Sequence, residues 1–413
     1  MNEIGPEPRG RASGSGSGSE HADSSPDGGG LPLPGPATVR RVAVLRANGV
    51  GDFVLGLPAL EALRAAYPAA RITYLGLPWH VDLLSGRPGP WDEVDAVPSF
   101  PGVSAPSGPI SVDEREAVRA FVERHRAIRY DLAVQLHGGG AHSNRLVGAL
   151  GATLTVGGRD RGAPPLDRWV PFRHLQHETM RNLEIVRLAG APPVTLAPAL
   201  AVTARDRRDA AQALAPVAPN LVDRVTSASP DRPTARSDRA LVALHPGAGD
   251  PRRRLPVADF AAVADALTAD GHVVLVVGDD RERALGAGLG ALARPAAATG
   301  RLVDLTGRLP LAGLLAVLAS CQLLIGNDSG PRHLAGALGT PTVGIYWCGN
   351  VVNAGELARS RHRIVTSFQT TCPECGARQE PRRCAHDPSF VAGVPITEII
   401  EEARGLLNRD WEF

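Results

Sequence analysis

The sequence predicts an α/β protein made of two doubly wound lobes that face a central cleft. Short apolar segments alternate with helical segments before residue 200, and a second such series begins after residue 240. Strands that alternate with helices are typical of mostly parallel sheets covered on both faces. A stretch rich in proline, alanine and arginine separates the two series, which indicates a linker between two lobes.

Composition divides the chain into four segments. We predict a disordered tail at 1–38, a first lobe at 39–200, a linker at 201–239 and a second lobe at 240–413. The tail lacks the basic start and the apolar core of a secretory signal. No apolar run approaches the ~20 residues that a membrane-spanning helix needs. We therefore expect a cytoplasmic protein.

Charge and residue usage exclude several classes of function. The 44 basic and 43 acidic residues give a net charge of +1, so no overall field attracts nucleic acid. The sequence contains no lysine, which excludes Schiff-base catalysis on lysine and the G-x-x-x-x-G-K-[ST] phosphate loop. Five cysteines without an export signal argue against a disulfide framework.

The first lobe opens with a strand, a glycine turn and a helix. An apolar strand at 42–45 precedes the turn, a helix is predicted at 53–66, and 72–75 is the next strand. Asp52 closes the turn at the carboxyl end of the first strand, where open α/β sheets place their ligands. An aspartate is ionised at neutral pH, so Asp52 is a candidate general base; its alternative role is to cap the helix.

Further alternation completes the first lobe. Proline and glycine at 86–109 indicate a connection, followed by predicted elements at 114–129 (helix), 130–136 (strand), 143–150 (helix) and 153–156 (strand). His137 and three glycines end the strand at 136, where a ligand can approach the backbone closely. His174, His177 and Glu178 precede a helix that runs to 188, and we interpret them as polar residues at a helix start or facing a cleft.

The second lobe repeats this pattern. Its predicted elements are a strand at 241–245, a loop at 246–254, a helix at 257–267, strands at 273–277 and 302–305, and a helix at 311–319. The loop contains Gly247 and three consecutive arginines, Arg252, Arg253 and Arg254. The turn after the second strand contains Asp280 and Glu282.

A turn of small and polar residues at 328–330 follows the strand 323–327 and opens a helix with Pro331 near its first position. The first N–H groups of a helix have no partner within the helix, so this turn is a candidate anion site. The alternative is an ordinary βα turn in which Asp328 or Ser329 caps the helix.

If the two lobes face one another, their turns meet across the cleft. The second lobe then supplies an anion site and arginine charge for a phosphate or diphosphate. The first lobe supplies Asp52, with Asn48, Gly51 and His137 on the side of an acceptor hydroxyl.

Three ordered blocks resemble the signature blocks of family 9 glycosyltransferases, the family of the ADP-heptose:lipopolysaccharide heptosyltransferases. They are GDFVLGLPAL at 51–60 with Tyr67 and Pro68, HPGAG at 245–249, and NDSGPRHLA at 327–335 with Gly339 and Pro341. The resemblance spans about residues 40–400. Two departures from the pattern are Leu255 in place of a tryptophan and arginine in place of a lysine.

The resemblance implies a GT-B architecture of two Rossmann-like lobes and specific roles for the residues. Asp52 matches the base, whereas Asp328, Ser329, Gly330 and His333, together with Gly247, match the donor diphosphate site. Arg252–254 lie where the family commonly has a phosphate-facing lysine. Asp280 or Glu282 matches a carboxylate that meets the donor ribose.

The implied reaction is an inverting, metal-independent transfer of a heptose or related sugar from an ADP-linked donor to a glycan or glycolipid hydroxyl. We expect no cofactor, no nucleic-acid partner and no stable protein partner, with peripheral contact at the inner face of the plasma membrane as one option. The alternatives are a nucleotide-sugar epimerase of the same fold and a non-catalytic nucleotide- or sugar-binding protein.

Three of the five cysteines form a cluster with a histidine near the C-terminus. Cys372, Cys375, Cys384 and His386 offer ligands that suit a structural zinc ion, although the short Cys-x-His pair is not standard finger spacing. The alternative is reduced or transiently paired thiols. We interpret Cys321 and Cys348 as packing residues.

Overall fold

A computed structural model describes residue 35 and residues 37–227, 239–378 and 384–408. Most of the predicted tail at 1–38 lies outside these residues, as does most of the polar part of the predicted linker. No helix in the described part of the chain is long and apolar enough to cross a membrane.

The first lobe is built on a parallel sheet of six described strands. They are β1 (Arg41–Leu45), β2 (Arg71–Gly76), β3 (Glu93–Ala96), β4 (Leu132–Gln135), β5 (Leu154–Arg159) and β6 (Arg168–Pro171). The strand order is β3-β2-β1-β4-β5-β6, so the order reverses between β1 and β4. Val42 pairs with Ile72 on one side and Leu132 on the other.

Five helices cover this sheet within the described residues. They are α1 (Val50–Ala66), α2 (Pro78–Leu84), α3 (Val112–Ile128), α4 (Ser143–Ala149) and α5 (Glu178–Leu188). Helix α3 begins with a capping box in which Ser111 and Glu114 satisfy each other's backbone N–H groups. The predicted helices of this lobe are confirmed to within three residues at each end.

The second lobe repeats the topology with another six strands in the described chain. They are β7 (Leu241–His245), β8 (Val273–Val276), β9 (Leu302–Asp304), β10 (Leu323–Asn327), β11 (Thr342–Trp347) and β12 (His362–Ser367). The order is β12-β11-β10-β7-β8-β9, all parallel, and it reverses between β10 and β7. The predicted pair of doubly wound α/β lobes is thus confirmed.

The remaining helices pack on or beside this second sheet. They are α6 (Ala204–Leu214), α7 (Val222–Thr226), α8 (Val257–Ala269), α9 (Arg283–Leu292), α10 (Arg294–Ala298), α11 (Leu311–Ser320), α12 (Gly330–Ala337), α13 (Cys348–Ala354) and α14 (Ile396–Leu407). The loops after β7, β8 and β10 leave the same edge of the sheet, because all three strands are parallel.

Part of the predicted linker at 201–239 is helical. Helix α6 buries Ala210 and Leu214 and packs against α11, while its Asp206 forms a buried ion pair with Arg87 of the first lobe at 2.7 Å. Thr203 and Asp206 form a capping box that fixes the start of α6. This segment therefore connects the lobes by packing as well as by chain.

One apolar cluster extends through both lobes. It includes Val44 and Leu57 from the first lobe and Leu315 and Leu334 from the second. Helix α1 packs directly against α12, so the first turns of these two helices meet. This contact sets the geometry of the candidate site.

Candidate active site

Arg46 is a fully buried arginine directly after β1 that organises the first-lobe side of the site. Its Nε donates to the Asp52 carbonyl at 2.5 Å, and its Nη1 donates to the Leu136 carbonyl. Its Nη2 lies 3.4 Å from Oδ1 of Asp52 and 3.4 Å from Oε2 of Glu178. One guanidinium therefore ties the turn after β1 to the end of β4 and the start of α5.

Asp52 lies in the first turn of α1, and its side chain is 45% exposed. The N-cap residue of α1 is Gly49, and no side chain accepts a hydrogen bond at this cap. The capping alternative for Asp52 is therefore not what the structure shows. Its carboxylate is held on one side by Arg46 and is open to solvent on the other.

The predicted acceptor-side residues surround this turn. Nδ1 of His137 accepts a hydrogen bond from the Ala47 N–H at 3.2 Å; burial and then the charge of Arg46 lower the pKa of His137 to about 4. Asn48 is half-buried, and its Oδ1 meets no hydrogen-bond partner among the described residues. Gly51 faces the other lobe instead: a Cβ there would lie 3.0 Å from Cδ2 of His333.

The second-lobe side of the site begins with the turn after β10. Ser329 is the N-cap residue of α12, but its hydroxyl donates to the Asn327 carbonyl at 3.0 Å and lies 2.9 Å from Nδ1 of His245. No side chain caps α12, so its first backbone N–H groups remain available to an anion. A Cβ on Gly330 would lie 3.0 Å from Cβ of Val50, which brings this helix start against that of α1.

Asp328 is buried between a histidine and an arginine. His333 Nε2 lies 3.2 Å from Oδ1 of Asp328, and Nη1 of Arg253 lies 2.9 Å from Oδ2. Burial alone raises the pKa of Asp328, but the His333 hydrogen bond and the charges of Arg332 and Arg253 outweigh it and lower the pKa to about 2. Burial and then the charge of Arg332 lower the pKa of His333, and together they outweigh the hydrogen bond to Asp328, which acts to raise it.

Two further charged groups hold the inner face of this turn. Arg332 is fully buried, and its Nη1 pairs with Oε1 of Glu356 at 2.5 Å. Its Nη2 lies 2.7 Å from Nδ1 of His333, and its guanidinium carbon lies 5.0 Å from the ring centre of Tyr346. Burial works to lower the pKa of Arg332, but the charges around it raise the pKa overall.

The three consecutive arginines point in different directions. Arg252 pairs with Asp250 at 2.7 Å and lies over the ring of Trp347 at 5.6 Å. Arg253 reaches Asp328, and Arg254 donates from Nε to the Ala248 carbonyl at 2.8 Å. The structure therefore places Arg253, rather than Arg252 or Arg254, at the turn after β10, a choice that the sequence left undecided.

Glu282, rather than Asp280, lies inside the site. Glu282 packs over Gly247, where an added Cβ would meet Oε1 at 1.7 Å, so a side chain at 247 would displace the Glu282 carboxylate. Oε2 accepts a hydrogen bond from the Asp279 N–H at 2.9 Å and lies 3.2 Å from Nε2 of His245. Burial raises the pKa of Glu282, but these bonds and the charge of Arg254 lower it overall. Asp280 is 80% exposed and pairs with Arg283.

The lobes also meet beside α5. His177 Nδ1 accepts the Thr179 N–H at the start of α5, and its Nε2 lies 2.7 Å from the Gly355 carbonyl of the second lobe. The interpretation of His174 and His177 as polar residues at a helix start or cleft agrees with this placement, since Asn353 donates to the His174 carbonyl.

The cysteine cluster forms in the structure. The ligand atoms of Cys372, Cys375, Cys384 and His386 all lie within 4.8 Å of one another. Cys321 is buried and Cys348 is half-buried against the core, as expected of packing residues.

Two doubly wound lobes, each with a reversal of strand order, make up the GT-B fold. The model of glycosyltransferase family 9 (heptosyltransferase) matches residues 118–386. The chain belongs to this family and is a glycosyltransferase, which sets aside the epimerase and non-catalytic alternatives. The matched residues begin after Asp52.

Individual relatives agree with this assignment. The chain is 26% identical over 324 residues to lipopolysaccharide heptosyltransferase 2 of Escherichia coli K12, covering 74% of this chain and 82% of that protein. Among solved structures, a family 9 glycosyltransferase of Veillonella parvula superposes with a TM-score of 0.66 at 20% identity, covering 89% of this chain and 97% of that one. The E. coli ADP-heptose lps heptosyltransferase II superposes with a TM-score of 0.64 at 20% identity, covering 89% and 98%.

Proposed function

We propose that this protein transfers a heptose or closely related sugar from an ADP-linked donor to a hydroxyl of a glycan or glycolipid. The proposal is supported by its family and by its similarity to a lipopolysaccharide heptosyltransferase. The E. coli protein of the same fold is an ADP-heptose lps heptosyltransferase. The reaction takes place in the cytoplasm, with the acceptor presented at the inner face of the membrane and no stable protein partner.

In this proposal the donor diphosphate binds at the start of α12. The uncapped N–H groups of that helix and the guanidinium of Arg253 face the same turn. Both favour negative charge, and Arg253 can pair with phosphate oxygens. Asp328 holds His333 and Arg253 in place rather than meeting the phosphates itself. Glu282 accepts a hydrogen bond from the donor ribose.

Asp52 is the general base. As the acceptor oxygen attacks the anomeric carbon, its proton passes to the Asp52 carboxylate, and the bond from that carbon to the diphosphate oxygen breaks. Attack from the face opposite the diphosphate inverts the configuration. The electron pair of the broken bond leaves with ADP, where Arg253 and the α12 N–H groups stabilise the added charge. The same groups take the role that a divalent metal has in other transferases.

The observation that carries this proposal is the contact between the first turns of α1 and α12. The residue before Asp52, Gly51, faces His333, and Val50 faces Gly330. Asp52 therefore belongs to the turn that contacts the start of α12, which supports its action on an acceptor held next to the donor.

Calorimetry with ADP, UDP and GDP tests the donor site directly. We expect ADP to bind and the other two to bind more weakly. If none of the three binds the wild-type protein, the proposed donor site is wrong. If UDP or GDP binds better than ADP, the ADP assignment fails although the transferase assignment stands.

A further inference from the structure

The cluster of Cys372, Cys375, Cys384 and His386 has the dimensions of a metal site. Zinc–ligand bonds of about 2.0–2.3 Å place tetrahedral ligand atoms roughly 3.3–3.8 Å apart. The four ligand atoms here lie within 4.8 Å of one another, so a contraction of about 1 Å closes the site. None of the three cysteines forms a disulfide bond within the described part of the chain.

The local backbone of the first two ligands is shaped for metal binding. The Cys372 N–H donates to the Ala377 carbonyl and the Gly376 N–H to the Cys372 carbonyl, each at 2.8 Å. Gly376 has a φ of +70°, which favours glycine at this place. A bridge between Thr371 and Arg378 closes the turn, so both thiols project from one tight loop.

We propose that these three cysteines and His386 bind one structural zinc ion, which fixes the C-terminal segment beneath the arginine loop at 251–254. Three thiolates and an imidazole are soft and borderline ligands that suit zinc, and four protein ligands leave no open position for catalysis. Each thiol releases its proton to solvent as it coordinates the ion. A disulfide within the cluster would leave the third cysteine and the histidine without a role.

The segment just before Cys372 and the segment just after His386 are the two arms of the cluster. Each arm contacts the arginine loop or a residue that packs against it. After the last ligand, Ser389 Oγ donates to the Arg254 carbonyl at 2.6 Å, and the Phe390 N–H donates to the Arg252 carbonyl at 2.8 Å. Before the first ligand, the Gln369 carbonyl accepts the Trp347 indole N–H at 2.6 Å.

The two arms converge on the same aromatic pair. The rings of Trp347 and Phe390 pack at 5.2 Å, and Arg252 lies over Trp347. A zinc ion joining the two arms therefore holds the backbone from which Arg253 reaches Asp328. This positioning role rests on the proposed donor site, whereas the zinc site itself does not.

Metal analysis by mass spectrometry of tag-free protein, purified without chelator, tests the site. We expect about one zinc per chain in the wild type and its loss in Cys375→Ser and Cys384→Ser. Cys375 is exposed, so its substitution leaves the core packing intact. Cys348→Ser is the matched control, because this half-buried thiol lies outside the cluster and should leave zinc content unchanged.

Absence of zinc from the wild type, iron in its place, or zinc retained by both cluster variants would overturn the zinc assignment. Hydrogen exchange at 251–254 tests the positioning role without substrate: we expect faster exchange in Cys375→Ser and no change in Cys348→Ser. Equal exchange in all three proteins would refute that role.

ADP titration of the same proteins connects the zinc site to the donor site. We expect Cys375→Ser to bind ADP about tenfold more weakly, the effect of losing one charge-assisted hydrogen bond. A variant that loses zinc yet binds ADP as the wild type does refutes the connection. If the wild type does not bind ADP, the proposed donor site fails while the metal and exchange results stand.

Discussion

The two lobes share one strand order, yet their acid–arginine pairs are built in opposite ways. In the first lobe Arg46 is 2% exposed and Asp52 is 45% exposed, at a separation of 3.4 Å. In the second lobe Asp328 is 4% exposed and Arg253 is 25% exposed, at 2.9 Å. The buried member fixes the position of its partner, and that partner is the more exposed of the two.

This reversal explains how one fold supplies two kinds of chemistry. In the proposed function, a buried guanidinium presents a carboxylate to the acceptor, whereas a buried carboxylate presents a guanidinium to the donor. Each lobe pairs an aspartate with an arginine, and in this proposal the less buried member of the pair is the one that meets the substrate. Substitutions in the first-lobe pair should therefore affect the transfer step, and substitutions in the second-lobe pair should affect donor binding.

The largest effect is expected from Asp52→Asn. Loss of the base should lower the rate of ADP release from ADP-heptose, with truncated lipopolysaccharide as acceptor, by roughly 10²–10⁴-fold. ADP affinity by calorimetry should stay within about twofold, because the substitution leaves the second lobe intact.

Asp92→Asn is the matched control for this substitution. Asp92 is 44% exposed and pairs with Arg64 at 2.6 Å, so it resembles Asp52 in exposure and pairing but lies outside the site. A transfer rate in Asp52→Asn equal to that of Asp92→Asn would contradict the base assignment.

Arg46→Lys should produce the next largest effect, since lysine cannot make all the contacts of the buried guanidinium. We expect kcat to fall by about 10–100-fold as Asp52 loses its orientation, with ADP affinity unchanged. Urea unfolding should show a loss of about 1–3 kcal/mol, because the Leu136 and Asp52 carbonyls lose a donor.

Arg87→Lys separates positioning from stability. Arg87 is a buried arginine in a 2.7 Å ion pair with Asp206, remote in sequence from the turn after β1. Arg87→Lys should lower the free energy of unfolding by about as much as Arg46→Lys does, and it should leave kcat near the wild-type value. Equal losses of kcat in both variants would reduce the role of Arg46 to general stability.

Much of the fold follows from the sequence because its local signals agree with its packing. The alternating apolar segments predicted most of the central strands, such as β1, β4, β7 and β10, since these strands are largely buried on both faces. Strands β3, β6, β11 and β12 were missed. Of these, β3 and β6 have four residues each and lie at a sheet edge, and Glu93 and Asp95 give β3 no apolar run, whereas β11 is a buried inner strand. The helical part of the linker could have been predicted from the Thr203–Asp206 capping box.

The candidate site was predictable only in part. The glycine turns and their aspartates are local patterns, so the sequence identified Asp52 and Asp328. Arg46 was missed because its partners Leu136 and Glu178 lie 90 and 132 residues away, and no local pattern reports such a buried charge. The choice of Arg253 likewise depends on a contact with Asp328 across 75 residues.

Asp328→Asn should affect the donor side with a smaller change in activity. Without the negative charge of Asp328, Arg253 loses its ion-pair partner. The affinity for ADP should then fall by about tenfold. The pKa of Asp328 is lowered from 3.8 to about 2, so its ionised form stabilises the fold above about pH 4. That contribution, about 2 kcal/mol, is lost as the pH falls from about 4 to about 2.

Urea unfolding between pH 5 and pH 2 measures this contribution as a difference between two proteins. The gap in unfolding free energy between wild type and Asp328→Asn should narrow as the pH falls through that window, because the wild type then becomes neutral at this position too. Other carboxylates titrate equally in both proteins and cancel. A gap that stays constant with pH would show that folding does not lower the pKa of Asp328.

The smallest effect distinguishes Glu282 from Asp280 at the donor ribose. Glu282→Gln should raise the donor KM by about threefold to tenfold with kcat unchanged, because one hydrogen bond of uniform binding is weakened. Asp280→Asn should change neither, since Asp280 is 80% exposed and pairs with Arg283. Binding of 2′-deoxy-ADP and 3′-deoxy-ADP identifies the hydroxyl: the analogue that lacks it should bind wild type and Glu282→Gln equally. If neither analogue removes the difference between these two proteins, Glu282 acts on the site only through His245 and Gly247.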